Sequence, residues 1–163
     1  EEPSISEVFF DLSRLFLILD GVQDPGNVGT LIRTGAAAGV GCVILTKGCA
    51  DVYNPKTLRS TMGAVFAVPV IERVEPRDVI DHIKTAGVNL VVADGEGETD
   101  YCDPWYTGKT CLVIGNEAHG VSDVFLDVAD VRVKIPMMND VESLNAAVAG
   151  SILLYEAYRQ SIT

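Results

Sequence analysis

Short apolar runs alternate with segments of helical pattern along most of this chain. The runs lie at 15–19, 42–45, 67–71, 90–93, 111–114 and 131–135. Continuous apolar runs of this length are typical of strands that are covered on both faces. Three helical segments are predicted at 27–38, 76–86 and 145–159. This alternation predicts an α/β fold with a mainly parallel sheet and helices on both faces.

The length of 163 residues is sufficient for one domain with a substantial core. Residues 15–163 are expected to form that domain, and residues 1–14 a leader or interdomain connection. No apolar run approaches the ~20 residues that a membrane helix needs. The first residues lack the pattern of a secretory signal and are expected to be a cut inside a longer chain.

Charge and cysteine usage limit the classes of ligand. The formal net charge is −11, which is unfavourable for a nucleic-acid ligand because phosphate contacts require Lys and Arg. The four cysteines stand in separate segments without a CxxC pair, which argues against a zinc site, and no metal is expected. Reduced thiols, and with them a cytoplasmic location, are therefore expected.

Four loops rich in Gly, Asn, Asp and Pro follow the first, fourth, fifth and sixth apolar runs. They cover residues 20–29, 93–98, 115–120 and 136–145. Ligands of open α/β sheets bind beyond the carboxyl ends of the strands, so the four loops are expected to form one composite site. The alternative is that these residues only make turns, as they do in any α/β protein.

The first loop leads into a helix that contains an arginine. The pair at 25–26 is expected to make a tight turn, with Asn27 as the helix N-cap and Arg33 in the second turn. Small and apolar neighbours suggest that the Arg33 guanidinium is partly buried and requires an anionic partner. That partner is either a phosphate or ribose hydroxyl of a ligand, or a carboxylate such as Asp24 or Glu117.

The loop at 115–120 contains a glycine, next to which a ligand could approach the backbone, and a carboxylate. Gly115 would let a ligand approach the strand end, and Glu117 could orient backbone amides or a guanidinium. His119 is either an acid or base near neutral pH or an ordinary surface group. The sequence lacks a P-loop, and the glycines at 95–97 lack the third Gly of a dinucleotide fingerprint.

The last loop combines an apolar segment with a polar helix start. Ile135 and Met137 could form a hydrophobic ledge for a flat ring, while Ser143 and Asn145 offer a hydroxyl and an amide. The alternative is simply a capped amphipathic helix.

Together, the loops resemble the three motifs of the SpoU (TrmH-like) branch of the SPOUT RNA methyltransferases. These motifs are an Asn and an Arg on the first helix, Gly-x-Glu-x-x-Gly, and Ile-Pro-Met followed by Ser-Leu-Asn. Their order matches over 17–159, and the stretch 48–70 is also similar to family members. The chain departs from the family pattern at Ala146 and Ala147, where Val and Ser are common.

The resemblance implies a catalytic domain with a deep trefoil knot in its carboxyl half and S-adenosylmethionine as cofactor, converted to S-adenosylhomocysteine. The implied reaction is methyl transfer to a ribose 2′-hydroxyl. Arg33 would lower the hydroxyl pKa or hold a phosphate. The implied catalytic residues are Asn27, Arg33, Glu117, Ser143 and Asn145. The implied cofactor-binding residues are Ala93, Asp94, Gly95, Ile114, Gly115, Ile135, Met137 and Leu144.

The resemblance also implies partners. Structured RNA is the expected substrate, with ribosomal RNA favoured over transfer RNA, and a homodimer is expected through the knot region. A separate amino-terminal RNA-binding domain would supply the missing cations. Two other readings stay open: a non-catalytic knotted RNA-binding domain, which Ala147 and the acidic charge favour, and a doubly wound nucleotide-binding enzyme in which Gly95 and Gly97 grip a phosphate.

Overall fold

The computed structural model describes residues 3–8 and 15–163, which form one seven-stranded sheet flanked by helices. The strands are β1 (Leu15–Asp20), β2 (Val43–Thr46), β3 (Val70–Val74), β4 (Asn89–Ala93), β5 (Thr99–Asp100), β6 (Thr110–Gly115) and β7 (Val131–Lys134). The helices are α1 (Ile5–Val8), α2 (Pro25–Ala37), α3 (Pro55–Thr61), α4 (Pro76–Ala86), α5 (Asp123–Leu126) and α6 (Ala146–Ser161), with a 3₁₀ turn at Ala64–Phe66.

Every strand pairing in the sheet is parallel, in the order β3-β2-β1-β6-β4-β7-β5. At the centre β1 pairs with β6 so that Asp20 lies opposite Gly115, and the end of β4 pairs with β7. The carboxyl ends of these four strands therefore meet at one edge of the sheet. The predicted α/β class and parallel sheet are confirmed, while the trefoil knot stays a prediction.

The sheet is covered on both faces because its central strands are apolar throughout. Side chains of a strand alternate between faces, so Leu17 belongs to one core and Ile18 to the other. The first core contains α2 and α6 residues such as Leu31 and Leu153. The second contains Ile80 of α4, together with residues of α5. Each core excludes water from one face of β1 and β6.

Two glycines allow the helices of the first core to pack unusually closely. A Cβ on Gly29 of α2 would lie 2.3 Å from Ser60 Cβ and 2.6 Å from the Thr57 carbonyl oxygen of α3. A Cβ on Gly150 of α6 would lie 2.4 Å from Leu31 Cδ2. Helices α3 and α6 are therefore held directly against α2.

Several predicted boundaries are corrected by the structure. The third strand covers Val70–Val74 rather than 67–71, and α2 begins at Pro25, so residues 25–26 are its first turn. Strand β5 and helices α3 and α5 were not predicted from the sequence. Of the expected leader, residues 5–8 form a helical turn whose Val8 is buried in the second core, and residues 1–2 and 9–14 lie outside the described part. None of the described helices is long and apolar enough to cross a membrane.

Candidate functional site

The first turn of α2 is capped by Asp24 and not by Asn27. The Asn27 backbone N–H donates to Asp24 Oδ1 at 2.9 Å, and Pro25 occupies the first helical position, where no N–H is needed. Asn27 was expected to be the cap but is the third residue of the helix. Its side chain is thereby free for other partners, and Arg33 moves from the predicted second turn to the third.

Glu117 fastens the loop before α2 to the loop after β6. Its carboxylate accepts from the backbone N–H groups of Gln23 (3.2 Å) and Asp24 (3.0 Å), and from Asn27 Nδ2 (3.2 Å). Partial burial alone would raise the pKa of Glu117, but these hydrogen bonds outweigh it and leave the pKa below its ordinary value. A carboxylate at a helix amino terminus is also favoured by the helix dipole.

The loop that carries Glu117 is itself rigidly built. Asn116 and Gly120 exchange backbone hydrogen bonds of 3.0 and 2.9 Å, and Asn116 Oδ1 accepts from the N–H groups of Ala118 and His119. A Cβ on Gly115 would lie 2.2 Å from the Gly120 carbonyl carbon, so only glycine fits there. The structure thus gives Gly115 a role in closing this loop. Its expected role in letting a ligand approach the strand end stays a prediction.

A chain of side-chain hydrogen bonds joins the three motif loops. Asn27 donates to Glu117 and accepts from Asn145 Nδ2 at 3.1 Å. Asn145 is the N-cap of α6, and its Oδ1 accepts from the N–H groups of Ala147 (2.9 Å) and Val148 (3.2 Å). Three of the predicted catalytic residues are thus brought together, and their contacts are with one another and with helix ends.

Arg33 differs from the expectation in its surroundings. Its side chain is exposed and not partly buried. Neither Asp24 nor Glu117 pairs with it, and within the described part of the chain no carboxylate lies within ion-pair distance of its guanidinium. Of the two alternatives for the partner of Arg33, an ion pair with a described carboxylate is therefore wrong. Ser143 is likewise exposed, and its hydroxyl makes no hydrogen bond to a described residue.

The predicted cofactor residues lie at the ends of three adjacent strands. Ala93 ends β4 and Gly115 ends β6, while Ile135 directly follows β7. The remaining members of the set are Asp94, Gly95, Ile114, Met137 and Leu144. Asp94 accepts from Arg132 Nε at 2.8 Å and pairs with its Nη2 at 2.7 Å, so this carboxylate is already occupied.

The apolar part of this set is only partly covered. Ile135, Met137 and Leu144 are each half-buried, whereas Ile114 is fully in the core. Two surface depressions, of about 510 and 330 Å³, lie at the opposite, amino edge of the sheet and contain none of the predicted site residues. The candidate site is therefore defined by the polar and apolar side chains at the carboxyl edge of the sheet, and not by these depressions.

Two buried polar residues of the site region, Asp20 and Thr46, were not predicted from the sequence. Asp20, at the end of β1, accepts from the Ser122 N–H at 2.7 Å and from Thr46 Oγ1 at 3.2 Å. Thr46 Oγ1 in turn accepts from the Gly21 N–H at 3.0 Å. The signal was an Asp at the end of an apolar strand, where a charge persists only with hydrogen-bond partners. His119 is exposed, and nothing in its surroundings marks it as an acid or base.

Comparison with known proteins gives consistent matches over most of the chain. The SpoU rRNA Methylase family model matches residues 14–155. The 23S rRNA (guanosine(2553)-2′-O)-methyltransferase RlmP of Bacillus subtilis is 41% identical over 143 residues, 88% of this chain and 57% of the relative. The 23S rRNA (uridine(2479)-2′-O)-methyltransferase of Streptomyces viridochromogenes is 38% identical over 154 residues, 91% of this chain and 54% of the relative. The chain thus spans just over half the length of these relatives.

Solved structures agree with the sequence matches. The SpoU methyltransferase AviRb from Streptomyces viridochromogenes, in complex with AdoMet, superposes with a TM-score of 0.92 at 35% identity, covering 99% of this chain and 66% of that one. The AdoMet-bound rRNA methyltransferase from Sinorhizobium meliloti superposes with a TM-score of 0.91 at 34% identity, covering 98% and 61%.

Proposed function

Because the chain belongs to the SpoU rRNA methylase family, we propose that the protein transfers a methyl group from S-adenosylmethionine to a ribose 2′-hydroxyl of ribosomal RNA. The observation that carries this proposal is the hydrogen-bonded set Asn27, Glu117 and Asn145 at the carboxyl edge of the sheet. On the helix that this set anchors, Arg33 pairs with no carboxylate of the described residues.

The residues at the adjacent strand ends fit an adenosine-containing cofactor. Half-buried Ile135, Met137 and Leu144 offer apolar contacts for a flat ring, because their surfaces are not fully covered by the protein. Gly115 and Gly95 add backbone without side chains. Ala93, Asp94 and Ile114 complete the set that would hold the cofactor. S-adenosylmethionine would supply an electrophilic methyl group there.

The ribose 2′-hydroxyl must lose its proton to solvent water as its oxygen takes the methyl group and S-adenosylhomocysteine leaves, because the neutral oxygen is a poor nucleophile. A guanidinium stays protonated in proteins, so Arg33 acts as a fixed positive charge that stabilises the developing oxyanion or holds the neighbouring phosphate. Its exposed position and lack of a described carboxylate partner leave that charge available to a substrate. Most of the rate gain would come from this positioning and charge.

Asn27, Glu117 and Asn145 act as positioning residues in this proposal. They make no hydrogen bond to the Arg33 guanidinium, but they fix the start of α2 relative to β6 and to the start of α6. Ser143, exposed and two residues before the α6 cap, is free to orient the substrate or the cofactor. The replacement of a family hydroxyl by Ala147 does not interrupt the cap, since Ala147 contributes only its N–H.

Ribosomal RNA is preferred to transfer RNA as substrate because both curated relatives described above carry 23S rRNA in their names. A cytoplasmic location remains part of the proposal. It is supported by four free cysteines, two of which are fully buried. Burial raises the pKa of the Cys42 thiol to about 12, so this thiol is unreactive near neutral pH.

A homodimer is also proposed. Helix α6 exposes Val148 and Tyr155, each 49% exposed, and the C-cap residue Ile162, directly after the helix, is 67% exposed; the three positions are seven residues apart. Seven residues are close to two helical turns, so the three side chains form one apolar stripe. Apolar stripes of this kind are typical of subunit contacts.

The decisive experiment has two parts. Calorimetry with S-adenosylmethionine tests the cofactor, and binding with a stoichiometry of about one per chain is expected. Mapping of 2′-O-methylated riboses in rRNA, from cells with and without the full-length gene, tests the reaction. Identical maps would contradict rRNA methylation, and cofactor binding without any gene-dependent methylation of rRNA or tRNA would favour the non-catalytic alternative.

A further inference from the structure

The charges of this chain are strongly segregated along the sequence. Residues 25–71 contain four Lys and Arg but a single acidic residue, Asp51, for a net charge of +3. The remaining residues carry eight Lys and Arg against 22 Asp and Glu, for a net charge of −14. The segment 25–71 contains α2, β2 and α3, so the positive charge is confined to one part of the fold.

Three cations of this segment are not neutralised by the described residues. Asp51 lies 4.0 Å from Arg73, and Lys47 pairs with Glu75. The charges of Asp51 and Lys47 are therefore balanced by partners outside the segment 25–71. Arg33, Lys56 and Arg59 are exposed, and none of them lies within ion-pair distance of a described carboxylate.

The packing of α2 against α3 brings these cations onto neighbouring helices. Gly29 of α2 meets Ser60 of α3, and Arg33 follows Gly29 by four residues, on the same side of α2. On α3, Thr57 and Thr61 are buried, whereas Lys56 and Arg59 are exposed. These two side chains are three residues apart and are neighbours on the helix surface.

Exposed aromatic and apolar side chains lie close to two of these cations, Lys56 and Arg59, in the sequence. Phe66 is 89% exposed, Met62 72% and Tyr53 61%, and all three lie within 13 residues of one another around α3. A largely exposed Phe on the final residue of a short 3₁₀ turn has little packing function. Cations interleaved with exposed aromatic rings are the usual composition of surfaces that bind single-stranded nucleic acid, because phosphates pair with the cations and bases stack on the rings.

We propose that the exposed side of α3 and the following turn, formed by Tyr53, Lys56, Arg59, Met62 and Phe66, binds unpaired RNA next to Arg33. Lys56 and Arg59 contact backbone phosphates, and a base stacks on Phe66. This inference rests on the proposed function, since it places the nucleotides that flank the target ribose. It also assigns part of the RNA affinity to this chain itself, in spite of the overall charge of −11.

The test measures binding of a fluorescein-labelled, unstructured 12-nucleotide RNA by anisotropy over a salt series. The double variant Lys56→Ala/Arg59→Ala should weaken binding roughly tenfold at low salt. It should also reduce the slope of log K against log salt by about 1.4, since each phosphate contact on a single strand contributes about 0.7. The matched control Arg77→Ala/Lys84→Ala removes the same charge from exposed positions of α4, on the other face of the sheet. It should leave the slope unchanged.

Phe66→Ala tests the stacking component and should weaken binding about fivefold or more without changing the salt slope. Affinity for S-adenosylmethionine is measured on every variant and should equal that of the parent chain. If the parent chain itself does not bind S-adenosylmethionine, that result counts against the proposed function and not against the RNA surface on α3. Equal RNA binding by parent and variants, or equal losses in the α4 control, would overturn the α3 proposal. Conversion of a dimer to a monomer by Phe66→Ala would assign this face to a subunit contact and would also overturn it.

Discussion

Arg33 is exposed and has no carboxylate partner among the described residues, so its charge contributes little to holding the fold together. Arg33→Lys should therefore leave the free energy of unfolding within about 0.5 kcal/mol of the parent, as for other surface substitutions. Lysine keeps the charge but loses the forked geometry, and turnover should fall roughly a hundredfold. Single-turnover methyl transfer to unmodified rRNA by the full-length protein measures this.

Arg77→Lys on α4 provides the matched control for Arg33→Lys, because it makes the same chemical change at an exposed site on a helix of the second core. Melting temperature and cofactor affinity are recorded on the same preparations. A near-normal single-turnover rate for Arg33→Lys would remove Arg33 from the reaction.

The low pKa of Glu117 links this residue to stability against acid. A carboxyl whose pKa is lowered by folding stabilises the folded state above its unfolded pKa, and this contribution is lost as pH falls through the folded value. At pH 7, Glu117→Gln should reduce the free energy of unfolding by about 1 kcal/mol, allowing for solvent screening of an exposed group. As the pH falls below 4.5, the ordinary pKa of a glutamate, the difference in free energy of unfolding between the parent and Glu117→Gln should shrink.

Urea unfolding at pH 7 and pH 3 tests the Glu117 prediction. Glu142→Gln is a suitable control because Glu142 is exposed and accepts no hydrogen bond from a described residue. A difference between parent and Glu117→Gln that stays constant over this pH range would contradict the role assigned to the carboxylate.

The polar residues of the candidate site could be named from the sequence, but their hydrogen-bond partners could not. Asn27 and Asp24 are both good N-caps, and local sequence cannot decide between them. Pro25 favours Asp24, because proline is accommodated at the first helical position. The partners of Asn27 are 90 and 118 residues away, so its hydrogen bonds to Glu117 and Asn145 depend on the folded arrangement of the sheet.

The contact between α2 and α3 depends on one glycine. Gly29→Ala would place a Cβ 2.3 Å from Ser60 Cβ and 2.6 Å from a backbone carbonyl, so α3 would have to move. Overpacking of this kind should lower the free energy of unfolding by about 1–3 kcal/mol. Gly35→Ala on the same helix is the control, because its Cβ would meet its nearest neighbour at an ordinary 3.4 Å.

Gly35→Ala should be neutral or stabilising, since alanine is favoured over glycine inside a helix by about 1 kcal/mol. Denaturant unfolding of both variants makes the comparison. Equal stability of Gly29→Ala and Gly35→Ala would show that the α2–α3 contact can relax at no cost.

Elements with a continuous apolar sequence were predicted well, and so was the amphipathic helix α4, whose predicted bounds of 76–86 match the structure. The edge strand β3 and helix α3 were predicted poorly or not at all. The central strands β1 and β6 are buried along their whole length, which gives a clear signal. The edge strand β3 includes Glu72 and Arg73 and was predicted three residues too early. Helix α3 has few apolar residues, although its Asn54 cap and following Pro55 are a recognisable helix start.

At the scale of the whole molecule, the apolar stripe on α6 predicts a dimer. Tyr155→Asp would introduce a charge into the middle of that stripe and should convert the dimer to a monomer, because burial of an unpaired charge is costly. Sedimentation velocity at micromolar concentration measures the assembly state. Lys84→Asp on α4 is the control and should leave the dimer intact, and a monomeric parent chain would contradict the prediction.

The whole-molecule arrangement was predictable because parallel strands point their carboxyl ends to one edge. That rule was enough to bring the loops at 20–29, 93–98, 115–120 and 136–145 together from sequence alone. The strand order was not predictable, since it depends on which strands exchange hydrogen bonds. The placement of β6 between β1 and β4 is what aligns Gly115 with Asp20.

The hydrogen bonds from Asn27 to Glu117 and Asn145 also have a consequence for biosynthesis. They span 90 and 118 residues, so they cannot form until the ribosome has translated well past the first half of the chain. The nascent chain can form β1, α2 and β2 early, but Asn27 then has neither partner. Contacts of such long sequence separation form slowly, and the growing chain should complete its candidate site only as one of the last events of folding.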